Sequence, residues 1–162
     1  MVYCAGISPL MTLKEFDLDT MQKVYNINMV SFLAMLRFFM DEEFTNSHSS
    51  IVGISSSTSI YGGNRQYAYG SSKAAMNSVV KNCSGELSDR NTRLNAIMPS
   101  ITNTEMVSKL RQQSDAIDTN VKYKMPFGIL EPTDIIKGIL YLLSEDCKLT
   151  GVTMPVNNGE IY

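Results

Sequence analysis

The chain has 162 residues, 44% of them hydrophobic, which is enough for one domain with a real core and too few for two. Its formal net charge is −2 and its 14 basic residues are scattered, so the electrostatic footprint of a nucleic-acid or anionic-membrane binder is missing. Arg37 interrupts the apolar run from Phe32 to Met40 and Lys137 the run from Ile135 to Leu143, so no stretch reaches the ~18 residues of a membrane span.

Met1-Val-Tyr-Cys-Ala-Gly6-Ile reads as a short buried strand closed by a glycine turn, the continuous apolar pattern of a parallel strand covered on both faces. Asp17 or Asp19 can cap a helix expected from about Asp19 to Phe44, with Met21, Val24, Tyr25, Phe32, Met35, Leu36 and Phe39 as its apolar stripe. Asn28 falls inside that stripe. A buried amide there has to be hydrogen-bonded or it costs about 1 to 3 kcal/mol, so it sets packing register or serves a site.

Ser50-Ile-Val-Gly-Ile54 is a second strand, running into a serine cluster and a Gly62-Gly63 turn. Ser55, Ser57 and Ser59 are expected to cap backbone or face solvent. Ser56 is followed thirteen residues later by Tyr69 and four residues after that by Lys73. If a helix starts near Ala68, the phenol and the ammonium share one of its faces. A free phenol, with a pKa of about 10, is a poor acid or base at neutral pH, and a neighbouring cation favours the phenolate. That is a proton-transfer arrangement, although a Tyr-x-x-x-Lys pair on its own is commonly a solvated helix face.

The helix continues to about Ser88 on Ala75, Met76, Val79, Val80, Cys83 and Leu87. Arg93-Leu-Asn-Ala-Ile97 is a third strand, ended by Pro99. Residues Thr102 to about Lys124 are polar and weakly patterned, as expected of a helical, mobile segment that folds over a site. Pro132 suits the first turn of a helix whose expected buried face is Ile135, Ile136, Ile139, Leu140, Leu142 and Leu143. Thr150-Gly151 turns into a last strand, Val152 to Val156. Strands alternating with helices of this length predict an α/β fold, a parallel sheet with helices on both faces.

Cys4, Cys83 and Cys147 are odd in number and far apart, with no ligand spacing around the single His48. They are expected to be reduced, mostly buried thiols, with no metal site, in a cytoplasmic protein without a recognisable export signal.

Taken together the segments resemble the short-chain dehydrogenase/reductase family from residue 2 to residue 159. Cys4-Ala5-Gly6 resembles the family's Asn-Asn-Ala-Gly turn, with Cys4 in place of the second asparagine. Ile27-Asn28-Met29 resembles its helical Val-Asn-Leu, Ile54-Ser-Ser56 its strand-end serine, and Tyr69-Gly-Ser-Ser-Lys73-Ala-Ala the start of its catalytic helix. Arg93-Leu-Asn-Ala-Ile-Met-Pro99-Ser-Ile-Thr-Asn-Thr104 resembles the segment Arg-Val-Asn-x-Ile-x-Pro-Gly-x-Ile-x-Thr, departing at Ser100 where the family has glycine. Leu142-Leu-Ser-Glu-Asp and Thr150-Gly151 resemble the close of the family's sequence.

The resemblance implies an NAD(P)-dependent oxidoreductase interconverting a small-molecule alcohol and a ketone or other carbonyl. Tyr69 would be the general acid/base, Lys73 would lower its pKa and touch the nicotinamide ribose, Ser56 would hydrogen-bond the substrate oxygen, and Asn28 would hold a water of the proton relay. Ala5, Gly6, Pro99, Thr102 and Thr104 would join Tyr69 and Lys73 around the cofactor, NAD or NADP. Met106, Leu110 and Ile117 of the expected lid suggest a partly apolar ligand.

The family's Thr-Gly-x-x-x-Gly-x-Gly turn, whose glycines let backbone reach a pyrophosphate, has no counterpart in these residues. The expectation is therefore a single truncated domain, residues 1–162, with a partial doubly wound, Rossmann-like sheet comprising the back half of the fold. Such a chain would bind dinucleotide weakly or not at all, and would work as a homo-oligomer or beside a complementing N-terminal half. A non-catalytic interaction module and a non-redox relative using the same Tyr-Lys pair are the alternatives.

Overall fold

Apolar β-branched segments joined by helices pair as parallel strands, because a parallel partner can be reached only through a long crossover. The computed structural model, which describes residues 1–41, 43 and 48–160, has four such strands: β1 (Val2–Tyr3), β2 (Ser50–Ile54), β3 (Arg93–Pro99) and β4 (Thr153–Val156). They form one sheet in the order β1-β2-β3-β4, every pair parallel, with Val2 opposite Val52, Ile51 opposite Leu94 and Ile97 opposite Met154.

Alternation along the strands divides the core. Ile51, Leu94 and Ala96 face one side, where they pack with Phe32, Leu36, Met76, Val80 and Leu87. Val52 and Ile97 face the other, with Leu130, Ile135, Leu142 and Cys147. The first side is covered by α2 (Ser31–Phe38) and α4 (Tyr67–Ser88), with α1 (Leu18–Tyr25) packed on α4 through Val24 and Ala68, and the second by α7 (Pro132–Leu143). A short helix, α3 (Thr58–Tyr61), precedes α4, and α5 (Glu105–Arg111) and α6 (Ala116–Lys124) lie between β3 and α7. The expected α/β architecture is thus present.

Several local expectations need correction. β1 is less buried than its apolar run suggests: among the described residues it lies at the sheet's edge, the place expected of it where no earlier strand pairs with it, and Val2 is 37% exposed. Cys4 is exposed for the same reason. The segment expected as one helix from Asp19 is interrupted. Asp17 caps α1 by accepting a hydrogen bond from the Thr20 amide at 2.8 Å, and Asn26–Val30 form a π-helical turn closed by the Ser31 amide on the Asn26 carbonyl. Burial then follows steps of four, at Val24, Asn28, Phe32 and Leu36, while Met35 is exposed. Each step of four overshoots an α-helical turn by about 40°, and the wider π turn takes back part of that drift. α2 ends at Phe38, and the expected terminus at Phe44 lies outside the described residues.

On α7, Ile135 and Leu142 are buried but Ile136 and Leu140 are exposed, because one helix face cannot bring four consecutive-row residues against a single sheet. Buried polar groups set the ends of these elements. The Arg93 guanidinium donates to the carbonyls of Leu142 and Ser144, both at 2.8 Å, closing the C-terminus of α7. Asn95, fully buried, donates to the Leu149 carbonyl at 2.8 Å and accepts from the Val152 amide at 3.1 Å, which fixes where the chain enters β4.

Gly151 lies between those two anchors at φ 74°, and a Cβ added there would stand 2.7 Å from Ser84 Oγ. Gly151→Ala should therefore lower the stability of the chain by about 1 to 2 kcal/mol in urea titrations. Gly85→Ala, on the open side of α4, should raise it by up to ~1 kcal/mol. Equal effects at the two positions would show that the backbone at 151 is not constrained.

Candidate active site

Parallel strands deliver their loops to one edge of the sheet, and a helix that follows a strand starts at that edge. Here the C-terminal ends of β2 and β3 and the first turns of α4 enclose a cavity of about 490 Å³. Ser56, Tyr69, Lys73, Gly6, Pro99, Thr102 and Thr104 all line it. Two of the expected site residues do not: Ala5 is exposed outside the cavity, and Asn28 is buried behind it.

Tyr69 and Lys73 stand one turn apart on α4, as the spacing predicts. Lys73 is 3% exposed, and its ammonium donates to the Ile54 carbonyl at the end of β2 at 2.7 Å. Burial lowers its pKa to about 8, against a small opposing contribution from the neighbouring Cys4. The ammonium also lies over the Tyr69 ring, 5.9 Å from its centroid.

The expected acidification of Tyr69 is absent in this arrangement. Burial raises the phenol above its ordinary value, and the downward influence comes from the hydrogen bond with Ser56. The lysine's charge is directed at the Ile54 carbonyl and the ring face, which explains why the phenol does not feel it as a close counter-ion. Tyr69 is thereby held in its proton-bearing form at neutral pH.

Asn28 has the hydrogen bonds that its burial demands. Its Oδ1 accepts from the Ile7 amide at 2.8 Å, and its Nδ2 donates to the Ile7 carbonyl at 3.0 Å and to Ser72 Oγ at 2.9 Å. Ser72 in turn donates to the Tyr69 carbonyl at 2.7 Å. Both amide protons are spent, so the side chain clamps the turn after β1 to the first turn of α4 and has no N–H left for a water.

Of the serines expected as backbone caps or surface hydroxyls, Ser59 does bond a backbone carbonyl, that of Ser56, while Ser55 and Ser57 are buried, as is Ser56 between them. The Ser55 and Ser57 amides continue the sheet by donating to the carbonyls of Ile97 and Pro99, each at 2.8 Å, which holds Ser56 between them. Ser55 Oγ donates to Asn77 Oδ1, and Asn77 Nδ2 donates to Ser59 Oγ at 2.8 Å. Sequence reasoning passed over Asn77, although it follows Lys73 by one more helical turn on the same face.

On the other wall Thr102 pairs in a parallel bridge with Leu130. The bridge uses the Ile101 carbonyl and the Asn103 amide, so the peptide groups of Thr102 itself point away from Leu130. Thr104 caps α5 by accepting from the Val107 amide at 3.4 Å, which leaves its hydroxyl proton to donate elsewhere. The hydroxyl of Ser100, where glycine was expected by resemblance, hydrogen-bonds the carboxylate of Glu160, a second residue that the sequence did not single out. Leu10, Met106, Leu110 and Ile117 give the cavity an apolar side, with all three expected lid residues on it.

A sequence-family model described as enoyl-(acyl carrier protein) reductase matches residues 1–160. The 3-oxoacyl-[acyl-carrier-protein] reductase FabG of Thermotoga maritima is 30% identical over 152 residues, covering 93% of this chain and 59% of the relative. A 3alpha-hydroxysteroid dehydrogenase of Mediterraneibacter gnavus is 30% identical over 157 residues, covering 96% and 62%. Among solved structures, a short chain dehydrogenase family protein from Francisella tularensis superposes with a TM-score of 0.88 at 23% identity, over 98% of this chain and 69% of that one. ElxO with NADP bound superposes with a TM-score of 0.78 at 27% identity, over 98% and 65%. The chain thus spans about three fifths of the length of these curated relatives.

The buried ammonium has a measurable consequence. The folded pKa of Lys73, about 8, lies below its ordinary 10.5, so between those values the unfolded chain binds the proton and the folded chain does not. Native stability should therefore rise across that window, by on the order of 3 kcal/mol for a shift of this size. Below pH 8 both states are protonated and the full penalty of burial remains. Urea unfolding at a series of pH values should show this rise in the parent chain and not in Lys73→Met. Parallel curves for the two would mean that the ammonium is solvated.

Proposed function

The chain belongs to the short-chain dehydrogenase/reductase family, and on that footing we propose that it is the back portion of an NAD(P)-dependent oxidoreductase interconverting an alcohol and a carbonyl. The observation that carries the proposal is the convergence of Ser56, Tyr69 and Lys73 on one cavity.

The nicotinamide, when bound, supplies or accepts the hydride. Gly6, Pro99, Thr102 and Thr104 line the cavity as its contacts, with the outward peptide groups of Thr102 and the spare hydroxyl proton of Thr104 suited to a carboxamide and its neighbours. The ammonium of Lys73 has two protons beyond the one given to Ile54, which suits it to the hydroxyls of a ribose. No glycine-rich turn among these residues cradles a pyrophosphate, so that part of the cofactor depends on a complementing N-terminal portion. The unpaired edge of β1 is the place where such a portion would add its strand.

Tyr69 donates its phenolic proton to the carbonyl oxygen as that oxygen gains charge, while the Ser56 hydroxyl hydrogen-bonds the same oxygen. Carbonyl reduction uses the protonated phenol, and alcohol oxidation, which needs the phenolate, gains as pH rises. Asn28 acts through Ser72 and Ile7, by holding the turn after β1 against α4. The apolar side formed by Leu10, Met106, Leu110 and Ile117 suits a partly apolar substrate. A non-catalytic interaction module is the second reading, favoured by the open β1 edge.

Carbonyl reduction measured with the N-terminal portion supplied separates the two. Tyr69→Phe should then lower kcat by about 10²-fold or more, and Ser56→Ala should lower it as well. Unchanged reduction in Tyr69→Phe would sink the enzymatic proposal. The chain alone should show no micromolar affinity for NADH or NADPH in fluorescence titrations.

A further inference from the structure

We infer that Asn77 is a positioning residue for the Ser56–Tyr69 pair, acting through a one-way chain of hydrogen bonds from α4 to the strand-end loop that carries Ser56. Ser55 Oγ donates to Asn77 Oδ1. Asn77 Nδ2 donates to Ser59 Oγ at 2.8 Å, and Ser59 Oγ donates to the Ser56 carbonyl at 2.6 Å. The direction of this chain follows from its end. The Ser59 proton is committed to a carbonyl, which cannot donate, so Ser59 must accept from Asn77, and the amide side of Asn77 faces Ser59.

The consequence for the site is geometric. Asn77 lies two turns beyond Tyr69 on the same rigid helix, so whatever it grips is held at a set distance from the phenol. It grips the loop on both sides of Ser56: at Ser55, whose amide is fixed to β3, and at Ser59, which holds the Ser56 carbonyl. The Ser56 hydroxyl itself accepts from the Thr58 amide at 3.2 Å, inside the loop so clamped. Without Asn77, Ser55 keeps only a 3.5 Å contact to the Lys73 carbonyl, and Ser59 has a competing acceptor in Met98 Sδ, also at 3.5 Å. The loop then has no short side-chain tie to α4 through these serines, and the place of the Ser56 hydroxyl relative to the phenol is set only by the Thr58 amide and by the main-chain bonds of Ser55 and Ser57 to β3.

The inference rests on Ser56 and Tyr69 being the reacting pair, yet its test does not depend on turnover. The NMR resonance of the hydroxyl-bearing ring carbon of Tyr69, assigned with Tyr69→Phe in tyrosine-labelled chain, reports the phenol's hydrogen bond at neutral pH and without cofactor. Asn77→Ala should move that resonance and shift the phenol's titration upward by about half a unit, the effect of one lost hydrogen bond. Ser59→Ala, which cuts one of the two arms, should act in the same direction, and the double variant should do no more than Asn77→Ala, because the Ser59 arm runs through Asn77.

A lower melting temperature with an unmoved Tyr69 resonance in both single variants would make Asn77 a purely structural residue and overturn the inference. So would additive shifts in the double variant, which would mean separate routes. If Asn77→Ala does not fold, Ser59→Ala, which removes a single hydroxyl from a loop, decides the question by the same two readouts. Loss of turnover in Tyr69→Phe with no resonance shift in Asn77→Ala would leave the proposed reaction standing and remove only the role of Asn77.

Discussion

The site depends on one buried charge. Lys73 carries an ammonium into a position with almost no solvent, and a single short hydrogen bond to the Ile54 carbonyl compensates part of its lost hydration. That bond joins the middle of α4 to the end of β2, the two elements that supply Tyr69 and Ser56. Its geometry also explains why the phenol is not acidified: the cation is turned to a carbonyl and to the ring face, and burial acts on Tyr69 with little opposition. On the proposed reading, a ligand with hydroxyl groups would restore the hydration that the lysine has lost.

Asparagines, two of them buried and Asn77 half-buried, do the same kind of work elsewhere in the fold. Asn28 clamps Ile7 to Ser72, Asn95 clamps Leu149 to Val152, and Asn77 ties Ser55 to Ser59. An amide has a donor and an acceptor on one short planar group, so it can satisfy a loop's peptide groups where no strand or helix partner exists. The π turn belongs to this pattern. By widening the helix at Asn26–Val30 it keeps Asn28 facing α4 along with Val24, Phe32 and Leu36.

The open side of β1 is the counterpart of this order. An edge strand with exposed Val2 and Cys4 beside a cavity has unpaired peptide groups ready for another strand. A cavity with polar and apolar sides is present in the chain, and a glycine-rich turn of the kind that reaches a pyrophosphate is not among its residues. The cavity is assembled at the ends of β2 and β3, away from the open side of β1.

Much of this was legible in the sequence. The alternation of apolar runs with helix-period stripes determined four strands, their crossover helices and the parallel sheet, because hydrophobic period and length depend only on local order. The Tyr69 to Lys73 spacing determined that those two side chains share a helix face, for the same local reason. The tertiary structure decided what depends on distant groups: that the Lys73 ammonium meets Ile54 and not the phenol, that Asn28 meets Ile7 and Ser72, and that Ser55 and Ser59 turn inward to Asn77. Burial of a charge and the pairing of amides are set by packing between segments, which no spacing along one segment encodes.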